Sequence, residues 1–99
     1  MELKEIMDAL AALGRDKRVS VWHVGVYTAI LQLYYQGNLH NPVLITRRKI
    51  MQIAHIGSIA TYHKCLRELE RYGYLTYIPS YHPLLGSKIF LAAYNDDLV

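Results

Sequence analysis

The side chains in this sequence from which chemistry could be built are five histidines, one cysteine and an uneven scatter of lysines and arginines. Histidine and cysteine hold a metal where their spacing aims two ligands at one tetrahedral centre, as in HxxxH or CxxC. His23, His40, His55, His63 and His82 show no such spacing and Cys65 has no second thiol, so neither a metal nor a cofactor is expected. A nucleophile needs a base within hydrogen-bond reach. Cys65 stands next to Leu66 in a helical stretch and is expected to face the core, and no glycine-rich loop is present to cradle a phosphate. The chain therefore does not read as an enzyme. A lone cysteine cannot close an internal disulfide, which agrees with a reducing, cytoplasmic compartment.

The basic residues are more informative. From Met1 to Thr46, four Lys/Arg balance four Asp/Glu; from Arg47 to Lys88, seven Lys/Arg face two Glu, giving +5; Asp96 and Asp97 then make the tail −2. A positive field confined to one segment suits a polyanion, although a solvated helix face can also be basic. The nine tyrosines lie on helical stripes and strand-like runs, where they are expected to form core and rim rather than a base-stacking platform.

These residues must be positioned by one small domain, since 99 residues support a single hydrophobic core. The longest apolar stretch, Val19 to Tyr35, is interrupted by Ser20, His23, Gly25, Thr28 and Gln32, so no membrane-spanning helix is expected. The acidic, amphipathic start does not read as a signal peptide. Leu3, Ile6, Met7, Leu10 and Leu13 recur at helical spacing, which predicts an amphipathic helix over Glu2 to Leu13 with Gly14 as its stop. Ser20 then caps a helix to about Gln36 whose inward stripe is Trp22, Val26, Ile30 and Leu33, broadened by Tyr27, Ala29 and Tyr34. Val43 to Ile45 is a short strand, and Thr46 caps a two-turn helix over Arg47 to Ala54. His55-Ile56-Gly57 breaks it, and Ser58 caps a further helix to about Tyr72 with Tyr62, Leu66 and Leu69 facing inward. Two strand-like runs, Tyr74 to Ile78 and Ile89 to Ala92, flank a loop containing Pro79, Pro83 and Gly86. The expected fold is mainly α with a small β-hairpin, an α+β class. Two short helices around a tight turn form a helix-turn-helix, and the hairpin that follows completes the order of a winged helix-turn-helix, preceded by an extra N-terminal helix.

The run Gly57 to Leu75 (GSIATYHKCLRELERYGYL) resembles the signature of bacterial winged helix-turn-helix regulators: a serine, a threonine three residues later, a leucine five after that, then Glu-Leu and Gly-x-Leu. The wider stretch from about Val21 to Leu91, roughly seven tenths of the chain, is similar to small bacterial transcriptional regulators often associated with mobile elements. The resemblance implies a winged-helix domain over about 19–94 that binds double-stranded DNA and regulates transcription. The same surface would equally serve a replication or excision accessory protein, and a winged helix used only for protein–protein contact is the third reading.

With Tyr62, Leu66 and Leu69 inward, the opposite face of the second helix of the motif presents Ile59, Ala60, His63, Lys64 and Arg67 to a major groove. Ser58 and Thr61 sit at its N-terminus, where the dipole suits a phosphate. Lys64 and Arg67 can contact phosphate or guanine, and His63 a base edge. Ile59 and Ala60 either meet a thymine methyl or pack against a neighbouring element. Thr46, Arg47, Arg48 and Lys49 either anchor backbone phosphates from the start of the preceding helix or form a solvated basic helix start mildly opposed to its own dipole, and Tyr81, His82 and Lys88 are wing candidates, with Tyr81 alternatively folded onto the core. The helix over 1–14 is expected to mediate a homodimer or to pack on its own domain. No small-molecule effector is evident.

Overall fold

A computed structural model describes residues 1–82 and 86–92. It is a mixed α+β fold of four helices and a three-stranded antiparallel sheet: α1 (Leu3–Arg15), α2 (Val21–Gln36), β1 (Val43–Ile45), α3 (Arg47–Ala54), α4 (Ile59–Arg71), β2 (Leu75–Ile78) and β3 (Ser87–Leu91). Pro83, Leu84 and Leu85 of the predicted wing, and Ala93 and Tyr94 of the predicted domain with the acidic tail, lie outside the described residues. None of the described helices is long and apolar enough to cross a membrane.

Helix α2 is the centre of the fold. It carries no charged residue and buries His23, Val26, Tyr27, Ala29, Ile30, Leu33 and Tyr34. The predicted inward stripe is corrected at its first turn, because Trp22 is half exposed and His23 is buried in its place. The cause is the cap. Ser20 and His23 form a reciprocal capping box, the Ser20 amide donating to His23 Nδ1 at 2.8 Å, and this folds the imidazole inward while Trp22, about 100° away around the helix, turns to solvent.

Helix α1 packs Ala9, Ala12 and Leu13 into the same core, with Ile6 and Leu10 partly covered, and leaves Leu3 and Met7 exposed. The expected stop at Gly14 is also corrected, since the helix continues to Arg15 and ends at Asp16, whose amide returns to the Ala12 and Leu13 carbonyls. Asp16 locks the connector: Arg18 donates to both its carboxylate oxygens at 2.9 and 2.8 Å, and the Tyr74 hydroxyl donates to Oδ2 at 2.9 Å. The Arg18 side-chain hydrogen bonds hold this carboxyl well below its ordinary 3.8 against the opposing effect of burial, with the Arg18 amide and Tyr74 helping. A group whose folded pKa is depressed contributes stability above its unfolded value and loses it as the pH falls through that value towards the folded one. Melting curves from pH 6 to pH 2 are therefore expected to show a decline starting near pH 4, and Asp16→Asn to be less stable at pH 6 with a shallower acid decline. An unchanged profile in the variant would show that the lock carries no pH-linked stability.

The sheet order is β1-β3-β2, so the hairpin is extended by β1 through Val43↔Ile89, Leu44↔Lys88 and Ile45↔Ser87. That pairing starts β3 at Ser87 instead of the expected Ile89. Inward Val43, Ile45, Ile89, Leu75 and Leu91 alternate with outward Leu44, Lys88, Phe90, Thr76 and Ile78, as the two-residue period of a strand requires. Asn41, beside a cis Asn41–Pro42 peptide, carries the ladder further, since its amide group pairs with both backbone groups of Leu91. Gly86 returns the chain against β1 so closely that a Cβ there would stand 2.8 Å from the Ile45 carbonyl oxygen, which no side chain tolerates without moving the backbone.

Among the described residues, one buried side-chain group is unsatisfied. Tyr27 is fully buried and its hydroxyl has no hydrogen-bond partner among the described residues, and burial pushes that hydroxyl up to about 12. A buried donor without an acceptor costs about 1–3 kcal/mol. Tyr27→Phe is expected to stabilise the domain by about 1 kcal/mol, raising the melting temperature by about 4–8 °C. A lower melting temperature would mean that the hydroxyl has a partner in solution.

Candidate nucleic-acid interface

Helix α3 begins where Thr46 accepts the Lys49 amide on Oγ1 at 3.2 Å, and α4 where Ser58 accepts the Thr61 amide on Oγ at 3.2 Å. Both caps are as expected from sequence. Between them His55 takes a left-handed conformation (φ 57°, ψ 44°) and closes α3, so the turn's strained residue is the histidine rather than Gly57. Ile56 is buried behind it. The turn is thereby seated on the core and fixes the start of α4 relative to the end of α3.

Helix α4 divides as its periodicity predicts. Tyr62, Cys65, Leu66 and Leu69 are buried, and burial pushes the Cys65 thiol up, Glu68 adding to the shift and Lys64 opposing it, which keeps the sulfur protonated. On the other side Ala60, Lys64 and Arg67 are exposed, Ile59 is 49 % exposed, and Thr61 and His63 are half-buried. Ile59 and Ala60 are thus free of the chain's own core. His63 stacks edge-on against Tyr62, ring centroids 5.1 Å apart, so one flank of its imidazole is held while the rest faces out.

The far half of α4 is tied to α2. Since His23 Nδ1 accepts from the Ser20 amide, Nε2 carries the hydrogen and donates to Glu68 Oε1 at 3.1 Å. Tyr72 and Arg71 donate to Glu68 Oε2 at 3.3 and 3.5 Å, and Arg18 lies over the Tyr72 ring at 4.2 Å. Burial raises the Glu68 carboxyl, but the hydrogen bonds from His23 and Tyr72 outweigh it and the net shift is downward. Serine, histidine and glutamate here have the composition of a nucleophile relay. The Ser20 oxygen, however, caps α2 and the imidazole is 5 % exposed, so the trio serves as a clamp between α2 and α4. Sequence periodicity missed it, although Ser20 and His23 at capping-box spacing were the available signal.

Most of the cations fall into two groups, with Lys17 exposed and without an ion pair to a described residue in the N-terminal half. Lys4 and Arg18 pair with Asp8 and Asp16 in the N-terminal half, and Arg71 with Glu68. Arg47, Arg48, Lys49, Lys64, Arg67 and Lys88 are all exposed and form no ion pair with a described residue. The two glutamates of the basic segment are both engaged, Glu68 in the clamp and Glu70 accepting the Tyr77 amide at 3.1 Å. Apart from Arg71, which pairs with Glu68, the cations of the +5 segment therefore present their charge without an ion pair among the described residues.

The predicted site residues come together only in part. A cleft of about 380 Å³ joins Thr46 and Arg47 of the α3 start, Tyr62 and His63 of α4, and Tyr77, Ser80, His82 and Ser87 at the base of the hairpin. A neighbouring cleft places Thr46 and Lys49 beside Leu44 and Gly86. Lys88 lines neither, lying on the outer face of the sheet between Leu44 and Ile78 in register. Tyr81 is 93 % exposed and not folded onto the core. Tyr62, Tyr77, Ser80 and Ser87 were not anticipated as site residues, because only the long-range β1–β3 and β2–β3 pairings bring them to the α3 start. No protein-family model matches the sequence, and comparison with curated proteins and with solved structures gives no match.

Proposed function

We propose that the protein is a winged helix-turn-helix domain that binds double-stranded DNA as a transcriptional regulator, akin to those associated with mobile elements. The observation that carries this reading is the set of exposed, unpaired cations at the α3 start and along α4, while both glutamates of the same segment are engaged elsewhere. The element order α2, β1, α3, α4, β2, β3 and the β1-β3-β2 sheet support the winged-helix description. In this arrangement α4 enters the major groove with Ile59, Ala60, His63, Lys64 and Arg67 outward. Ser58, Thr61 and the α3 start flank the backbone, and the hairpin with Tyr81 and His82 approaches the adjacent backbone or minor groove.

A single recognition helix reads few base pairs, so the working unit is a homodimer whose half-sites lie about one DNA turn apart. Leu3 and Met7 of α1, at 73 % and 54 % exposure, supply the apolar contact for it. Selection of bound duplexes from a random pool is expected to enrich a palindrome, with light scattering at twice the monomer mass. A Leu3→Glu, Met7→Glu double variant should stay folded, become monomeric and bind operator more weakly. Deleting Met1 to Gly14 is a poorer test because it removes Ala9, Ala12 and Leu13 from the core. An unenriched pool and a chain retained on neither heparin nor duplex DNA would favour a protein–protein module, a reading to which the outward Ile59, Leu44 and Phe90 lend some support.

A further inference from the structure

The cleft between the α3 start, α4 and the hairpin base has an unusual imbalance of hydrogen-bonding capacity. Thr46 Oγ1 accepts the Lys49 amide, Ser80 Oγ accepts the His82 amide, and Ser87 Oγ accepts the Ser80 amide at 3.2 Å and the Tyr77 hydroxyl at 3.5 Å. Each hydroxyl oxygen is thus used as an acceptor, and none of the three donates to a described residue. Beneath them Tyr62 is 1 % exposed, yet its hydroxyl makes no hydrogen bond to any described residue. Unlike the Tyr27 hydroxyl, its oxygen is not fully enclosed among the described residues, and its residue lines the cleft, into which the oxygen opens. Arg47, unpaired, stands at the rim, and no Asp or Glu is among the described lining residues. Four O–H donors and a guanidinium without an acceptor are complementary to one ligand chemistry, a group with several anionic oxygens and no proton to give.

We propose that this cleft is a built binding site for a phosphate group, in which the Tyr62 hydroxyl donates from the floor, Thr46, Ser80 and Ser87 donate from the walls, and Arg47 supplies the countercharge. Resting on the DNA-binding reading, the site takes one backbone phosphodiester and sets the register of α4 on the duplex, a positioning role that carries no sequence information of its own. The tyrosine suits this task. Burial, and Tyr77 after it, hold its hydroxyl above the usual range while Arg47 pulls the other way, so the donor keeps its proton throughout the physiological range. A neutral donor also has a signature distinct from that of a lysine or arginine, because it adds affinity without releasing a counterion.

The test has two arms. In the first, inorganic phosphate is titrated into the full chain and amide shifts are followed by NMR. Saturable shifts at Tyr62, His63, Ser80 and Ser87 that disappear in Tyr62→Phe and in Arg47→Ala are expected. In the second, binding of a short duplex is measured against salt. Tyr62→Phe should weaken it about ten- to a hundredfold at unchanged salt slope, whereas Arg47→Ala should weaken it and lower the slope by about 1. Tyr62→Phe keeps the buried ring, and its melting curve reports whether the fold is intact; if it fails to fold, Arg47→Ala, at an exposed position, carries both arms. Phosphate binding at the cleft with no duplex binding would leave the site standing and remove the DNA reading. Duplex binding weakened in Tyr62→Phe without detectable inorganic phosphate binding would identify the DNA backbone as the source. A wild-type chain without phosphate-dependent shifts in the cleft, together with a Tyr62→Phe variant that matches it on duplex or a chain that binds no duplex, overturns the proposal.

Discussion

Duplex affinity is expected to fall about 250-fold when salt rises from 50 to 200 mM, which is a log–log slope of about −4 from four or five neutralised phosphates. That slope follows from how the cations are placed. Six exposed basic side chains from Arg47 to Lys88 are unpaired within the described chain; Lys88, on the outer sheet face, lines neither cleft, and the other five are the ones placed to meet phosphates. An Arg48→Ala, Lys49→Ala double variant should flatten the slope by about 2 and weaken all duplexes alike. Lys64→Ala or Arg67→Ala should instead cost about 1–3 kcal/mol on the preferred site and relax the preference where a base edge is contacted. Fluorescence anisotropy at four or five salt concentrations separates the two behaviours. Affinity insensitive to salt, or no binding at the lowest salt, would refute the basic surface as a DNA contact.

Thermal unfolding of α4 variants should split by helix face. Leu66→Ala and Leu69→Ala each remove a side chain that is 1 % exposed or less, and should lose about 2–5 kcal/mol through lost transfer energy and a residual cavity. For a domain of this size that corresponds to a melting temperature lower by about 10–30 °C. Lys64→Ala and Arg67→Ala, exposed and unpaired, should stay within about 0.5 kcal/mol of the parent. If Arg67→Ala melts with Leu66→Ala, the division of the helix into core and outward faces is wrong. If the core variants bind DNA normally at low temperature, stability and recognition are separable in this helix.

Those two faces were legible from the spacing of Tyr62, Leu66 and Leu69, and the starts of α3 and α4 from Thr46 and Ser58, because a cap and a 3.6-residue stripe are local signals. Trp22 was misplaced for a local reason too: hydrophobicity favoured the tryptophan, while capping chemistry took the histidine inward. The site was legible only along single elements. Arg47 and His63 could each be read from their own helix, but no periodicity shows that they share a cleft with Ser80 and Ser87. That juxtaposition depends on β1 pairing with β3 across more than forty residues. Tyr62 was hidden differently. Its place in an apolar stripe is correct, and only the tertiary surroundings leave its hydroxyl at the edge of the core.

The clamp from His23 to Glu68 has a consequence for how this protein can diverge. Helix α4 is held by its buried leucines, by the Ser58 cap and by the clamp, and none of these uses Ile59, Ala60, Lys64 or Arg67. The four positions are accordingly open to replacement without loss of the scaffold. Descendants of one such sequence can change the surface that α4 presents by drifting at these sites alone, and a library randomised there should consist almost entirely of folded proteins, each presenting a different surface from the same frame.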